Sequence, residues 1–486
     1  LRSDAGLRAI WLLPRATPQY YPLVFTTFWF EYRLWRDLAA GYHAVNLLLH
    51  ATSAVILWGL LRRLRVPGAW VAAAVFAVHP VNVESVAWIT ERKNVLSLVF
   101  SLLAAHVFLF DFARIEDRIA TGRTRAGIDW SAYGWALVFF ACALLSKTVA
   151  CTLPAALLVV LWWKLGRITR RDVLCLLPMF IAGAAMGLFT AHLERTFVGA
   201  DGPEWNLSLA DRCLIAGRGV WFYAWKLLCP VNLVFIYPRW NIDSHELWQY
   251  AFPTSATALI VAAWLLRGRI GRGPLAALLL FGGTLVPALG FVNVFPMRYS
   301  FVADHFQYAA TIAPIALIAA GATLATRRAN LPAAASQAVG VIVVCVLGCV
   351  AFAQCRTYAD VETLWKRTIA RNPRAWMAYN NLGASYFNSG DKAQAAKLFN
   401  KSLEMYSRND VALHNLGLIL WSENKEAEAV NHFRRAVEVE PRCGPAHYGL
   451  GLAHKRHGEI DQAMDEFRLA IKYSPTHIQS YSNLAI

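Results

Sequence analysis

Val339-Gly340-Val341-Ile342-Val343-Val344-Cys345-Val346-Leu347-Gly348-Cys349-Val350 is an uninterrupted apolar run, and soon after it stands Asn381-Leu382-Gly383. The two stretches belong to different solvents. An apolar run of this kind, extended over 335–354, matches the length of about 20 residues that a helix needs to cross a bilayer. The Leu-Gly pair returns at Leu416-Gly417 and Leu450-Gly451, a period of 34. Each pair is followed at fixed offsets by a small residue, a Phe and a second small residue: Ala395, Phe399 and Ser402; Ala429, Phe433 and Ala436; Ala463, Phe467 and Ala470. Pro441 and Pro475 close the second and third units. Small residues let paired helices approach and the Phe fills the space between them, which is the tetratricopeptide-repeat (TPR) pattern. A fourth unit begins at Ile478. The fold class is therefore all-α: a polytopic α-helical membrane domain followed by a TPR α-solenoid.

Composition supports the membrane half. The 486 residues are 57% hydrophobic and 16% charged, with mean hydropathy +0.39, a balance foreign to soluble domains of this size. The 19 Trp and 17 Tyr suit the headgroup level at both faces. The net charge of +16 would attract nucleic acid, but the chain carries no nucleic-acid-binding motif, and in a membrane protein basic residues collect on the cytoplasmic side. Nucleic acid is excluded as a partner. The nine cysteines form no C-x-x-C pair, and Cys142, Cys151, Cys175, Cys345 and Cys349 lie inside apolar runs as small core residues.

Ten apolar segments are long enough to be read as spans: 41–61, 69–83, 94–112, 131–146, 148–163, 172–191, 251–266, 274–292, 308–326 and 335–354. Five short connections between them are basic. They hold Arg62, Arg63 and Arg65; Arg114, Arg118, Arg123 and Arg125; Lys164, Arg167, Arg170 and Arg171; Arg267, Arg269 and Arg272; and Arg327 with Arg328. The positive-inside rule makes these five cytoplasmic. The run Cys213–Leu228 would break that alternation as a span and reads as an interfacial or re-entrant helix. The domains are thus an extracytoplasmic loop (1–40), the transmembrane domain (41–355) and an extracytoplasmic solenoid (356–486).

One outer-rim segment carries ionisable groups. In His79-Pro80-Val81-Asn82-Val83-Glu84-Ser85-Val86-Ala87-Trp88-Ile89-Thr90-Glu91-Arg92-Lys93-Asn94, a Pro interrupts an apolar span, and His, Glu, Arg and Lys follow at the membrane face. Ionisable groups at such depth are costly and mark functional sites. Arg92 and Lys93 have a plainer reading, in which they snorkel to the headgroups.

The string from His79 to Ser97, with Tyr20-Tyr21-Pro22-Leu23-Val24-Phe25-Thr26-Thr27-Phe28-Trp29 and Gly41-Tyr42-His43-Ala44-Val45-Asn46-Leu47-Leu48-Leu49-His50, resembles the transmembrane and TPR-containing (TMTC-like) family of membrane glycosyltransferases, as a bacterial-type member. The order of membrane domain and repeats is similar too. The resemblance implies the C-type glycosyltransferase fold and O-mannosylation of protein hydroxyls from a polyprenyl-phosphate-linked sugar, mannose or a similar hexose, at the extracytoplasmic face, with the inner membrane as the location in a bacterium. Such chemistry needs cations for the phosphate and a carboxylate for the acceptor proton. Glu84, Asp304 and His79 are the candidate catalytic groups. Arg92, Lys93, Lys147, Arg298 and His305 are the candidate phosphate and sugar binders. The loop Met297–Tyr308 resembles the family's corresponding loop, where Arg more often follows the Asp; His305 departs from it. C-type enzymes also carry an acid in the first outer loop, directly after a first span. Asp4 is a poor substitute, so an upstream segment is expected to hold that span and the principal catalytic acid, giving about eleven spans and leaving the chain as written short of activity. No cofactor is assigned, no metal ligand set is named, and a divalent metal stays open.

In the solenoid, Asn381, Asn415 and Asn483 share one repeat position, which Gly449 interrupts. An Asn ladder can hold a peptide backbone by bidentate amide hydrogen bonds, although the position also tolerates any polar residue. The expected partners are a polyprenyl-phosphate-linked sugar, an acceptor protein or peptide in the TPR groove, and membrane lipid. The rival function is a non-catalytic, membrane-anchored TPR scaffold for envelope or polysaccharide assembly. A transporter would place its charges at mid-membrane depth, whereas these cluster at the rim.

Overall fold

The structure, a computed structural model, describes residues 2–17, 19–120, 129–202, 205–475 and 477–484, the side chains of 110–120 excepted. Arg123 and Arg125 lie outside the described residues, as do the side chains of Arg114 and Arg118. The chain divides into two compact units, Leu1–Phe235 with Arg239–Arg356, and Ile236–Pro238 with Thr357–Ile486. Among the described residues every regular element is helical.

In hydrocarbon each backbone N–H and C=O must be satisfied within its own segment, so apolar runs become helices. Among the described residues six helices are long and apolar enough to cross a membrane: Ala39–Arg63, Ile89–Leu109, Thr148–Leu165, Arg170–Val198, Leu247–Ile270 and Ala333–Tyr358. Two shorter apolar helices, Trp130–Ser146 and Gly273–Ala288, and the 17-residue helix Ile312–Arg328 accompany them. Buried Leu57, Phe76, Leu102, Phe140, Leu157 and Leu176 form a common core. The chain is a multi-pass membrane protein.

Proline sets a sharp break in one apolar segment. Ala69–Val78 and Pro80–Ala87 meet at 49°, because Pro80 offers no N–H to continue the ladder. The carbonyl freed at Phe76 accepts from Asn82 Nδ2 at 2.8 Å, so the break leaves that group paired inside the domain.

Four of the five basic connections converge. Lys164 Nζ donates to the Leu64 carbonyl, a Cβ on Gly166 would collide with the Arg272 guanidinium, and a Cβ on Gly68 would meet Thr323 and the Ala319 carbonyl. Gly68 adopts φ +69, where a side chain would be strained as well as crowded.

Residues 1–40, expected as an extracytoplasmic loop, contain two helices. These are Asp4–Leu12, whose Ser3 Oγ accepts from Gly6 N at 3.1 Å, and Pro22–Trp35, begun by a proline that needs no N–H partner at that position. Exposed Leu12, Phe30 and Leu34 give this segment an apolar outer face. Helix Leu209–Leu228 opens with a Ser208–Asp211 capping box and is not among the helices apolar enough to cross.

In the second unit the helices pair as Trp376–Asn388 with Lys392–Met405, Asp410–Ser422 with Glu426–Val439, and Gly444–Arg456 with Ile460–Tyr473, flanked by Val361–Arg371 and Ile478–Leu484. Phe399, Phe433 and Phe467 are fully buried. A Cβ on Gly383, Gly417 or Gly451 would come within 2.9, 2.5 or 2.6 Å of the facing Phe ring, which is why the Leu-Gly pairs recur. Gly449 has the same constraint, its virtual Cβ lying 2.8 Å from Phe433, and so the Asn series is interrupted for steric reasons.

Candidate active site

The site is assembled from the stretch 83–94, the turn 304–307 and Lys147. The Pro80 break hands the chain to the short helix Val83–Ala87, which carries Glu84; helix Arg92–Ala120 begins one turn later; and the single turn Asp304–Gln307 brings His305 against both. Asn46 secures the bend by donating to the Val86 carbonyl at 3.1 Å.

Glu84 and His305 form a dyad. Glu84 Oε1 is 2.9 Å from His305 Nδ1, and its Oε2 accepts from the His305 backbone N–H at 3.3 Å. A carboxylate at Nδ1 fixes that nitrogen as the donor and leaves Nε2 as the acceptor. Nε2 faces Glu91, 4.0 Å away, and the imidazole edge packs on Trp88.

Glu91 is the hub. It is fully buried, 2.9 Å from Lys93 Nζ and 3.6 Å from Lys147 Nζ, and it accepts from Asn94 Nδ2 at 2.7 Å. Asn94 in turn accepts from Lys147 Nζ at 2.5 Å, and its two N–H groups are shared among Glu91, Ser85 Oγ and the His305 carbonyl. A buried carboxylate is tolerable only when paired and hydrogen-bonded, and here two ammonium groups and an amide do this together.

Below this cluster lies an apolar cavity of about 280 Å³. Asn94 and Lys147 form its polar end, Leu57, Leu102, Ala105, Leu157 and Ala277 its walls, and Leu64, Pro67, Trp163 and Gly273 its far end beside the basic connections. The arrangement places the Lys147 ammonium group at the head of an apolar slot.

The other sequence candidates are distributed differently. Arg92 is fully buried and turned away: it donates to Glu31, Asn46, Thr27 and the Tyr42 carbonyl, with its guanidinium 5.1 Å from the Phe28 ring. Those partners tie the N-terminal helices to the membrane core and leave no donor for an anion. His79 also stands apart, hydrogen-bonded through Nε2 to the Leu227 carbonyl at 3.0 Å. Asp304 is buried near Tyr223, which feels the charges of both Asp304 and Glu84. Arg298 packs its guanidinium 5.9 Å from the Phe295 ring. Glu91, Asn94 and Glu31 were not singled out from sequence. A carboxylate such as Glu31 inside an aromatic, apolar stretch was the available signal. Among the described residues no three His, Cys, Asp or Glu side chains converge as a metal site.

In the solenoid, Asn381 Oδ1 accepts from Asn380 Nδ2 at 3.3 Å, Asn415 has no side-chain partner among the described residues, and Asn483 is occupied by Lys455 at 2.9 Å and the Gln479 carbonyl. One residue before Asn381 and Asn415, the buried atoms Asn380 Oδ1 and His414 Nδ1 lack hydrogen-bond partners. Burial pushes His414 down to about 4, so its ring is neutral.

Tetratricopeptide-repeat family models match residues 374–442 and 414–478. The protein O-mannosyl-transferase F38B6.6 of Caenorhabditis elegans is 26% identical over 232 residues, 46% of this chain and 31% of that protein. The protein O-mannosyl-transferase Tmtc3 of Drosophila melanogaster is 23% identical over 466 residues, 79% of this chain and 48% of that protein. The chain is thus similar to proteins named protein O-mannosyl-transferases. It spans about half or less of the length of these curated relatives. Among solved structures, MamA matches with a TM-score of 0.24 and 23% identity, over 26% of this chain and 77% of that one.

Proposed function

We propose that this chain is a membrane glycosyltransferase that moves a sugar, mannose or a similar hexose, from a polyprenyl-phosphate donor to protein hydroxyls, with the repeats holding the acceptor. The observation that carries the reading is the apolar cavity headed by Lys147 and Asn94. An isoprenoid chain fits the apolar slot, and its phosphate then meets Lys147 and Lys93, which Glu91 holds ready. The names of the relatives favour the same chemistry.

In this reading the acceptor hydroxyl oxygen attacks the anomeric carbon and its proton passes to His305 Nε2. The bond from that carbon to the phosphate oxygen breaks, and polyprenyl phosphate leaves with the electron pair. Glu84 keeps His305 in the accepting tautomer and stabilises the imidazolium that forms. Lys93 and Lys147 neutralise the leaving phosphate. Asp304 is the second carboxylate beside the dyad. Asn381 and Asn415 hold the acceptor backbone, a role the unpaired atoms of Asn380 and His414 support.

All ten apolar helices cross the bilayer in this reading, with the convergent basic connections cytoplasmic and the Glu84–His305 cluster and the repeats extracytoplasmic. In a bacterium the membrane is the inner one.

The test is donor chain length. Ala277→Phe narrows the slot without touching its polar head, and should lower turnover of long polyprenyl donors while leaving a donor analogue of one or two isoprene units nearly unaffected. Equal rates for long donors in the variant and the parent would remove the cavity from the donor site.

A further inference from the structure

A second cavity, of about 410 Å³, lies on the opposite side of helix Ile312–Arg328 from the donor slot, between that helix, Ala69–Val78 and Ala333–Cys355. It runs along the last helix from Ser336 to Leu347, about 16 Å at 1.5 Å per residue. Val339, Val343 and Val346 line it and are themselves exposed, so the groove is open on its lipid-facing side. His79, Leu227 and Leu228 line its other end.

The end beside the basic connections is polar and basic. Thr326 Oγ1 and Ser336 Oγ sit 3.0 Å apart in the groove wall, beside Arg327 and Arg328. Arg65 belongs to the turn whose Gly68 abuts Thr323. Arg65, Arg327 and Arg328 are exposed and have no ion-pair or hydrogen-bond partner for their guanidiniums among the described residues. No Asp or Glu occurs from Leu61 to His79 or from Tyr308 to Tyr358, so nothing in the lining helices competes for these charges.

We propose that this groove binds an anionic glycerophospholipid, with one acyl chain along Val339–Val346 and the phosphate at the Arg65, Arg327, Arg328, Thr326 and Ser336 end. A bilayer supplies acyl chains at high concentration to any open apolar groove, and the three uncompensated guanidiniums select a negative headgroup from among them. The ligand stabilises the packing of the three helices around His79, and is distinct from the sugar donor.

The experiment uses the full chain in detergent, titrated with phosphatidylglycerol or with phosphatidylcholine of the same acyl chains, and reads bound lipid by native mass spectrometry. Phosphatidylglycerol should bind in preference to phosphatidylcholine. Ala322→Trp, which fills the groove from an exposed position, should abolish that binding. Arg327→Gln with Arg328→Gln, at exposed and unpaired sites, should weaken phosphatidylglycerol roughly 10- to 30-fold and leave phosphatidylcholine unchanged. Equal binding of the two lipids by the parent protein, or full phosphatidylglycerol binding by Ala322→Trp, overturns the proposal. So does a change of oligomeric state in Ala322→Trp, which identifies a second copy of the chain as the occupant.

Discussion

Glu84→Gln isolates the dyad from the fold. The amide has the volume of the carboxylate, and its oxygen can still accept the His305 backbone N–H now bonded at 3.3 Å. What changes is the partner of Nδ1, 2.9 Å away. A carboxylate there demands a protonated Nδ1; an amide NH₂ there demands an unprotonated one, which moves the proton to Nε2 and removes the acceptor that the transfer step requires. General-base assistance contributes about 10²–10⁴ in rate, or about 3–5 kcal/mol of barrier. The folded state loses one charge-assisted hydrogen bond and keeps its packing, so expression and thermal stability should fall far less than turnover. The assay is transfer of labelled sugar from a polyprenyl-phosphate donor to an acceptor protein by the membrane-embedded chain. The double variant with His305→Ala should be no slower than His305→Ala alone, since two groups acting as one unit do not add. Near-parental turnover in Glu84→Gln, or multiplicative losses in the double variant, would refute the dyad and move the proton to another acid such as Asp304.

Replacing Asn381 and Asn415 together by Ala should weaken use of long protein acceptors and leave transfer to a short peptide unchanged; unchanged rates with long acceptors would end the presentation reading. A cysteine introduced at Gly268 should be shielded from an impermeant thiol reagent in intact cells while one at Asn388 reacts, and equal labelling of both would overturn the orientation. In the repeats, burial opposes charging of His447, but its hydrogen bonds to Glu466 at 2.6 Å and to the Pro441 carbonyl raise it above the ordinary 6.5. A raised folded value stabilises fully below the unfolded pKa and is lost as pH rises through the folded one. His447→Gln should therefore lower the thermal stability of the repeats more at pH 6 than at pH 8.5, and an equal loss at both would show that the ring acts through packing alone.

The sequence by itself determined the solvents and the periods. Apolar runs such as 335–354 had to become helices because hydrocarbon offers no partner for a backbone amide, and the 34-residue spacing of Leu-Gly and Phe specified the solenoid because only glycine fits against Phe399, Phe433 and Phe467. The string from His79 to Asn94 marked the site for the same reason that charge at the membrane rim is costly. The roles within it were not legible. Glu91, Arg92 and Lys93 are consecutive at the entry to one helix, and successive helical residues point about 100° apart. Only packing against the segments around Glu31, Lys147 and His305 decided which of them joined the cluster above the cavity. Arg92 was drawn to Glu31, 61 residues away in the chain, while Glu91 and Lys93 joined Lys147 and His305. Burying a charge compels it to find its opposite, and where that opposite lies is settled by the tertiary structure.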